Sequence, residues 1–183
     1  MIPNSPGTYA LVLRLENSRD IEVGRLGIFE YPAGWYIYVG SAHGSGGLAA
    51  RVARHLRDSK STHWHIDYLR PQDYATEVWC ALGVLDWECD WAKALSKSSG
   101  AKIPVPRFGA SDCPCPAHLI HSPCQFHTGI LTDIYSGLAI QRVLLAHSWE
   151  QYDPGSVLST KKAPRHEDEG LIKTQPIQAI ESA

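Results

Sequence analysis

Alternating apolar and polar positions dominate the first forty residues, and a helical period takes over only afterwards. Thr8-Tyr-Ala-Leu-Val-Leu-Arg-Leu15 is rich in β-branched, aromatic and aliphatic residues and predicts a strand entered through Gly7. Asn17 to Asp20 is polar and turn-like, and Ile21 to Tyr31 alternates loosely, as the arm of a hairpin would. Pro32-Ala-Gly34 breaks the chain, and Trp35-Tyr-Ile-Tyr-Val39 predicts the clearest strand. Gly40 to Gly47 is a loop with four glycines. From Leu48 the spacing changes: Leu48, Val52 and Leu56 stand at i, i+4 and i+8, with alanines at 49, 50 and 53 that let this face approach a sheet. Arg51, Arg54 and His55 share the neighbouring face of the same helix.

Ser61 or Thr62 is placed to cap a short helix from His63 to Leu69, which Pro71 stops. Ala75 to Leu82 predicts a third strand, and Asp86 caps a helix running to about Leu95, closed by Ser98, Ser99 and Gly100. Beyond Gly100 the pattern weakens. Two prolines punctuate residues 103–109, and a compact polar stretch runs from Cys113 to Cys124. The expected organisation is an α+β domain over residues 1–125, with a small three-stranded antiparallel sheet flanked by helices. An extra helix within 126–149 and a flexible tail over 150–183 form a C-terminal extension.

Composition narrows the class without identifying a job. A chain of 183 residues that is 44% hydrophobic and 20% charged can bury one core. It has no apolar run of the roughly 18 residues that a membrane span needs, and its start lacks the features of a secretory signal. The five cysteines therefore read as reduced thiols or metal ligands before disulfides, and the expected address is the cytoplasm. A net charge of −2 argues against a strongly basic nucleic-acid binder. The distribution changes that picture. His43 to Arg70 holds five Lys and Arg against two acids, whereas six acids follow from Glu150 against four bases. Arg54, Arg57 and Lys60 belong to a local basic face that could meet the backbone of a nucleic acid.

Chemistry concentrates where the first two strands would lie side by side. Gly7-Thr8-Tyr9 opens one, Tyr38-Val39-Gly40 closes the other, and Arg51 and His55 follow on the next helix. A phenol beside a guanidinium has its anion favoured, which would lower its pKa towards the range useful to a general base. Arginine offers phosphate a planar fork and keeps its charge at any cellular pH. A hard cation such as Mg²⁺ would need a carboxylate, for which Glu88 is the first choice and Glu77 its rival. Residue by residue, each of these also fits a plainer role as sheet aromatic, solvated cation or helix-start acid.

Taken together, Gly7-Thr8-Tyr9, Tyr38-Val39-Gly40-Ser41-Ala42 and Arg51-x-x-Arg54-His55 resemble the GIY-YIG nuclease superfamily. Thr and Val stand where Ile is usual, and both are β-branched. His63-Trp-His-Ile-Asp-Tyr-Leu69, Glu88-Cys89 and Phe108-Gly-Ala-Ser-Asp-Cys-Pro-Cys-Pro-Ala-His-Leu119 are similar to the branch found alone or fused to endonuclease III homologues. The resemblance implies a metal-dependent endonuclease that hydrolyses DNA phosphodiester bonds with Mg²⁺ or Mn²⁺. Tyr9 and Tyr38 would activate or orient water, Arg51 would stabilise charge on phosphorus, Glu88 would hold the metal, and His55 would assist. The wide interval between Tyr9 and Tyr38 needs an inserted hairpin. The modest charge predicts a salt-sensitive grip on DNA unless a fused or separate DNA-repair partner helps. RNA stays open as a substrate.

Cys113-x-Cys115-x-x-His118 with Cys124 could bind zinc, against the competing reading of packed thiols in a proline-braced turn. Cys80 and Cys89 read as core residues, and His63 with Asp67 as a surface pair, although His65 and Asp67 could line the cleft. Gly44-x-Gly46-x-x-Ala49 imitates a dinucleotide loop, but the strand before it is aromatic and alternating rather than a buried aliphatic run. Two rivals to the nuclease follow: a non-catalytic nucleic-acid-binding module on the same fold, and a zinc-stabilised interaction domain.

Overall fold

The computed structural model describes residues 1–145 apart from residues 134 and 136. The sequence pattern places the central strands well. Strand β1 (Gly7–Leu15) pairs antiparallel with β4 (Gly34–Ala42) on one side and with β5 (Ala75–Leu82) on the other. Between β1 and β4 the chain makes a separate hairpin of β2 (Arg19–Glu22) and β3 (Ile28–Tyr31), the insertion that the interval between the tyrosines requires.

The sheet has five strands, not the three expected, in the order β6-β4-β1-β5-β7. A three-stranded sheet would leave the outer backbone edges of β4 and β5 unpaired, and two short segments cover them. Strand β6 (Leu119–Ser122) pairs with Trp35 to Tyr38, and β7 (Gln141–Leu144) pairs with Glu77 to Cys80. Over the described residues up to 145, smaller elements stand where an extra helix was expected within 126–149. Helix α5 (Gly129–Thr132) is a single turn, Gly137 turns the chain at φ 89°, and β7 carries it back to the sheet. The domain thus continues past residue 125, while the tail expected over 150–183 lies outside the described residues.

Strand alternation divides the core into two layers. Tyr9, Leu11, Leu13, Tyr36 and Tyr38 face α1 (Gly47–His55), whose Leu48 and Val52 are buried against them. Ala10, Val12, Ile37, Val39 and Trp79 face α4 (Glu88–Leu95), which buries Trp91, Ala92 and Leu95. Helices therefore cover both faces of an antiparallel sheet. That antiparallel pairing also excludes the parallel βαβ unit that a dinucleotide loop after β4 would need.

Two short helices complete the α1 layer. Helix α2 (His65–Tyr68) starts after Trp64, later than the expected cap at Ser61 or Thr62. Pro71 does not merely end it: after Arg70, at φ 49°, Pro71 opens the further turn α3 (Pro71–Tyr74).

Candidate active site

The start of β1 and the end of β4 lie in register at one end of the sheet, with Tyr9 opposite Gly40 and Thr8 opposite Ser41. Odd and even positions then serve opposite faces. Tyr9 leans across Gly40, where any Cβ would strike the phenol ring. The final glycine of Tyr38-Val39-Gly40 is thus explained by the tyrosine of the other triplet. On the reverse face, Thr8 Oγ1 accepts the Trp87 amide at 3.0 Å and Ser41 Oγ donates to Glu88 Oε2 at 2.9 Å. Both hydroxyls tie the start of α4 to this end of the sheet; Trp87 holds the N-cap position that was expected of Asp86, which stands one residue earlier and accepts the Glu88 amide through Oδ1 at 2.9 Å.

These elements enclose a cleft of about 410 Å³ lined by Tyr9, Tyr38, Ser41, Arg51, Trp64, His65, Glu88 and Asp112. The expected catalytic set is therefore assembled: Tyr9, Tyr38, Arg51 and Glu88 share the cleft, and His55 stands behind it. A larger cavity, about 870 Å³, opens at the opposite end of the sheet around Arg14, Trp35 and Glu77. It is remote from every one of those residues. Glu77, the rival carboxylate, is buried there among Trp79 Nε1 at 2.9 Å, Gln125 Nε2 at 3.1 Å and Arg142 Nε at 2.8 Å, so it has no part in the cleft.

Behind the cleft runs a chain of polar contacts. Tyr9 Oη lies 2.6 Å from His55 Nε2, and His55 Nδ1 lies 3.9 Å from Asp67 Oδ1. With Nε2 accepting the phenolic proton, the imidazole N–H is on Nδ1, facing the carboxylate. Asp67 is buried and densely held: Arg54 reaches it through both terminal nitrogens at 3.2 Å, Lys60 Nζ is 3.2 Å away, and the amides of His63 and Trp64 donate at 2.9 and 3.0 Å. Asp67 is accordingly not the surface partner of the His63 ring. Nor are Arg54 and Lys60 free cations on a basic face, since they neutralise a buried acid. Arg57 alone of that trio is exposed with no carboxylate partner among the described residues.

Burial dominates the protonation of this group. It raises Tyr9 well above the ordinary phenol value, with the nearby Tyr38 and Glu88 adding to the effect. It also raises Tyr38, with Glu88 next in importance. Arg51 pulls both downwards but does not prevail, so the expected drop towards a free tyrosinate is corrected: both phenols are held neutral. Burial likewise lowers His55 to about 4, against the pull of Asp67. For Asp67 burial works upwards, yet His55, Arg54 and the two amides hold its carboxyl far below the usual range.

Two participants carried no functional reading in the sequence. Trp64 stacks under two guanidinium groups, with Arg51 Cζ 4.4 Å and Arg54 Cζ 4.1 Å from its ring centre, and so positions Arg51 at the cleft. Ser41, quoted only as part of a motif, orients Glu88. His65 does line the cleft; its Nδ1 accepts the amide of Gly109 at 2.9 Å, which leaves Nε2–H as a donor. Gly109 sits at φ 73°, a conformation that suits glycine, beside the ring of Tyr38.

The cysteines are arranged differently from the expected zinc set. The sulfurs of Cys89, Cys113 and Cys115 and the ring of His118 lie within 4.8 Å of one another and could hold a metal ion such as zinc. Cys124 is exposed and outside the group, and Cys89, expected in the core, takes its place. Cys89 and Cys115 are joined as a disulfide here, while both also belong to the group that could hold a metal, as the expectation of thiols or metal ligands allowed; Cys80 is free and buried.

With this geometry in place, similarity to known families becomes informative. Residues 8–138 match the profile of DUF123, a domain of unknown function. The chain belongs to the DUF123 family. The match spans β1 to the segment before β7, so it covers every residue of the cleft and of the sulfur cluster. No curated protein and no solved structure matches the chain. Among the described residues of this DUF123 protein, no helix is long and apolar enough to cross a membrane.

Proposed function

We propose that this DUF123 domain is a GIY-YIG-like endonuclease that hydrolyses phosphodiester bonds of DNA with the help of Mg²⁺ or Mn²⁺, acting in the cytoplasm. The observation that carries this reading is the convergence of Tyr9, Tyr38, Arg51 and Glu88 on one cleft, with a Tyr9–His55–Asp67 chain behind the first of them. Nothing in a plain structural role asks two phenols, a guanidinium and a carboxylate to meet at one end of a sheet.

The parts divide the work as follows. Tyr9 donates its proton to His55, which leaves the phenol lone pairs aimed into the cleft to accept a hydrogen bond from water. As water attacks phosphorus, its proton passes to Tyr9 Oη while the phenolic proton moves to His55 Nε2. Asp67 faces the imidazolium so formed. The Arg51 guanidinium, held over the ring of Trp64, binds the non-bridging oxygens as their charge grows. His65 Nε2–H and Tyr38 Oη are further donors on the same wall. Glu88 suits a hard divalent cation: it is the half-buried carboxylate of the cleft, beside the exposed Asp112. When bound there, the cation would supply positive charge to the leaving oxygen.

The test is cleavage of nicked, branched and single-stranded DNA with Mg²⁺ or Mn²⁺, with RNA run in parallel. Tyr9→Phe, Arg51→Ala and Glu88→Gln should each lose cleavage by a factor on the order of 10² or more while the fold persists. Cleavage undiminished in all three would sink the assignment. Salt-sensitive binding without turnover would favour the non-catalytic module instead.

A further inference from the structure

The geometry points to a second metal site in this protein, a zinc site formed by Cys89, Cys113, Cys115 and His118, whose histidine positions Glu88. The four ligand atoms come from two separate pieces of chain, the first turn of α4 and the loop of residues 113–118. The imidazole stands at nearly the spacing from two of the sulfurs that zinc demands. With Zn–S near about 2.3 Å and Zn–N near about 2.0 Å, a tetrahedral site sets sulfur and nitrogen roughly 3.5 Å apart. His118 Nε2 lies 3.3 Å from Cys113 Sγ and 3.9 Å from Cys89 Sγ. Three sulfurs select a soft or borderline ion and exclude Mg²⁺ and Ca²⁺.

A disulfide alone does not account for this arrangement. Joining Cys89 to Cys115 uses two sulfurs, yet a third sulfur and a buried imidazole converge on the same point. The zinc form needs that bond reduced. A dithiol reductant gives two electrons and two protons to the disulfide, becoming a disulfide itself; the three thiols then release three protons as the ion binds.

The other face of His118 links this site to the cleft. Its Nδ1 is 2.8 Å from Glu88 Oε1, in a close contact rather than a well-aligned hydrogen bond. Carboxylate, imidazole and metal in that order form the outer-shell pattern that fixes a ligating histidine. Here the same contact works in reverse as well, since a His118 anchored by zinc holds one oxygen of Glu88 while Ser41 holds the other. This positioning role rests on the endonuclease reading of Glu88; the zinc site itself does not.

The experiment uses the full chain, reduced with a non-metal-binding phosphine, and measures bound zinc by elemental analysis and Co²⁺ substitution by absorption. One equivalent of zinc and the charge-transfer and intense d–d bands of a tetrahedral thiolate site are expected in the wild type and in Cys124→Ser. Both signals should be lost in Cys89→Ser and Cys113→Ser. If those variants fail to fold, thiol counting on the wild type decides: zinc should shield three thiols from a bulky disulfide reagent and leave Cys124 fast. No zinc retained by the reduced wild type, or zinc lost in Cys124→Ser, overturns the site. The positioning role is read separately by Mn²⁺ binding, followed by electron paramagnetic resonance. His118→Cys should keep zinc but weaken Mn²⁺ binding on the order of 10-fold, and Glu88→Gln should abolish it. Mn²⁺ binding unchanged in His118→Cys overturns the positioning role while sparing the zinc site. No Mn²⁺ binding in the wild type overturns the cleft reading and that role together, whatever the zinc result.

Discussion

Asp67 organises the wall behind the cleft by concentrating donors around a buried anion. Its side chain is 1% exposed, and Lys60, which it neutralises, is only 7% exposed. Removing the carboxylate would strand buried positive charge, so Asp67→Ala should destabilise the fold by about 3–5 kcal/mol. Tyr9→Phe, which deletes one hydrogen bond but keeps the ring over Gly40, should cost about 1 kcal/mol. Urea denaturation of the two variants separates them. His55 adds a pH dependence of definite sign. Its folded value near 4 lies below the 6.5 of a free imidazole because burial penalises the cation. As pH falls below 6.5 the unfolded chain takes up a proton that the folded chain refuses, so stability drops until about pH 4, by an amount on the order of 3 kcal/mol. Asp67 acts in the same direction lower down: its contribution is present above 3.8 and is lost as pH falls from there towards its depressed folded value. A urea midpoint that stays flat between pH 6.5 and 4 would contradict the burial of neutral His55. Tyr9, Tyr38 and Arg51 were legible as one site because strand alternation and helix spacing are local rules. The role of Asp67 was not, because no spacing shows that the loop after α1 folds back beneath His55.

At the scale of elements, the cleft depends on how β1, β4 and α4 meet. Gly40 has room for a hydrogen only, because the ring of Tyr9 lies against it. Gly40→Ala should therefore push Tyr9 out of contact with His55 and destabilise the protein by about 1–3 kcal/mol, visible as a lower melting temperature and altered tyrosine absorbance. Asp86→Ala should cost about 0.5–1.5 kcal/mol through the lost hydrogen bond to the Glu88 amide and should impair Glu88 function more than that loss implies, since the bond fixes the backbone of Glu88 itself. Mn²⁺ binding compared with thermal stability checks the pairing; an Mn²⁺ affinity that stays unchanged despite the lost stability would refute it. Strands β1 and β5 were readable from eight consecutive suitable residues each, and β4 from the five of Trp35 to Val39, although it runs on to Ala42. Strands β6 and β7 were not, being four residues each and defined by the edges they cover rather than by their own pattern. Glu77 makes the same point. In sequence it resembles a free acid in a strand, whereas in the fold it is the buried anchor for Arg142 of β7. The cysteine reading found Cys113, Cys115 and His118 but missed one member for a related reason: the fourth comes from α4 and not from the nearby Cys124, and only the packing of α4 against the sheet brings it there.

For the molecule as a whole, the question is how a protein of net charge −2 would hold a polyanion. The sequence offered Arg54, Arg57 and Lys60 for the task, beside Arg51 in the cleft, but Arg54 and Lys60 are occupied by Asp67. Arg51 and Arg57 remain without a carboxylate partner among the described residues of α1 and the loop after it. Counterion release then predicts a shallow salt dependence, with the logarithm of the DNA-binding constant falling against the logarithm of salt with a slope of about −2. Arg57→Ala should weaken binding and bring the slope nearer to −1, with stability unchanged because the residue is exposed. Arg54→Ala should do the reverse, lowering stability through Asp67 while leaving the slope as it was for the fraction that stays folded. Fluorescence anisotropy over a range of salt concentrations, with melting curves alongside, distinguishes the two. A slope near −4 that loses one unit in Arg54→Ala would mean that the ion pair with Asp67 opens to admit DNA. The wall behind the cleft would then be part of the binding surface, and the proton chain through His55 would be broken whenever substrate is bound.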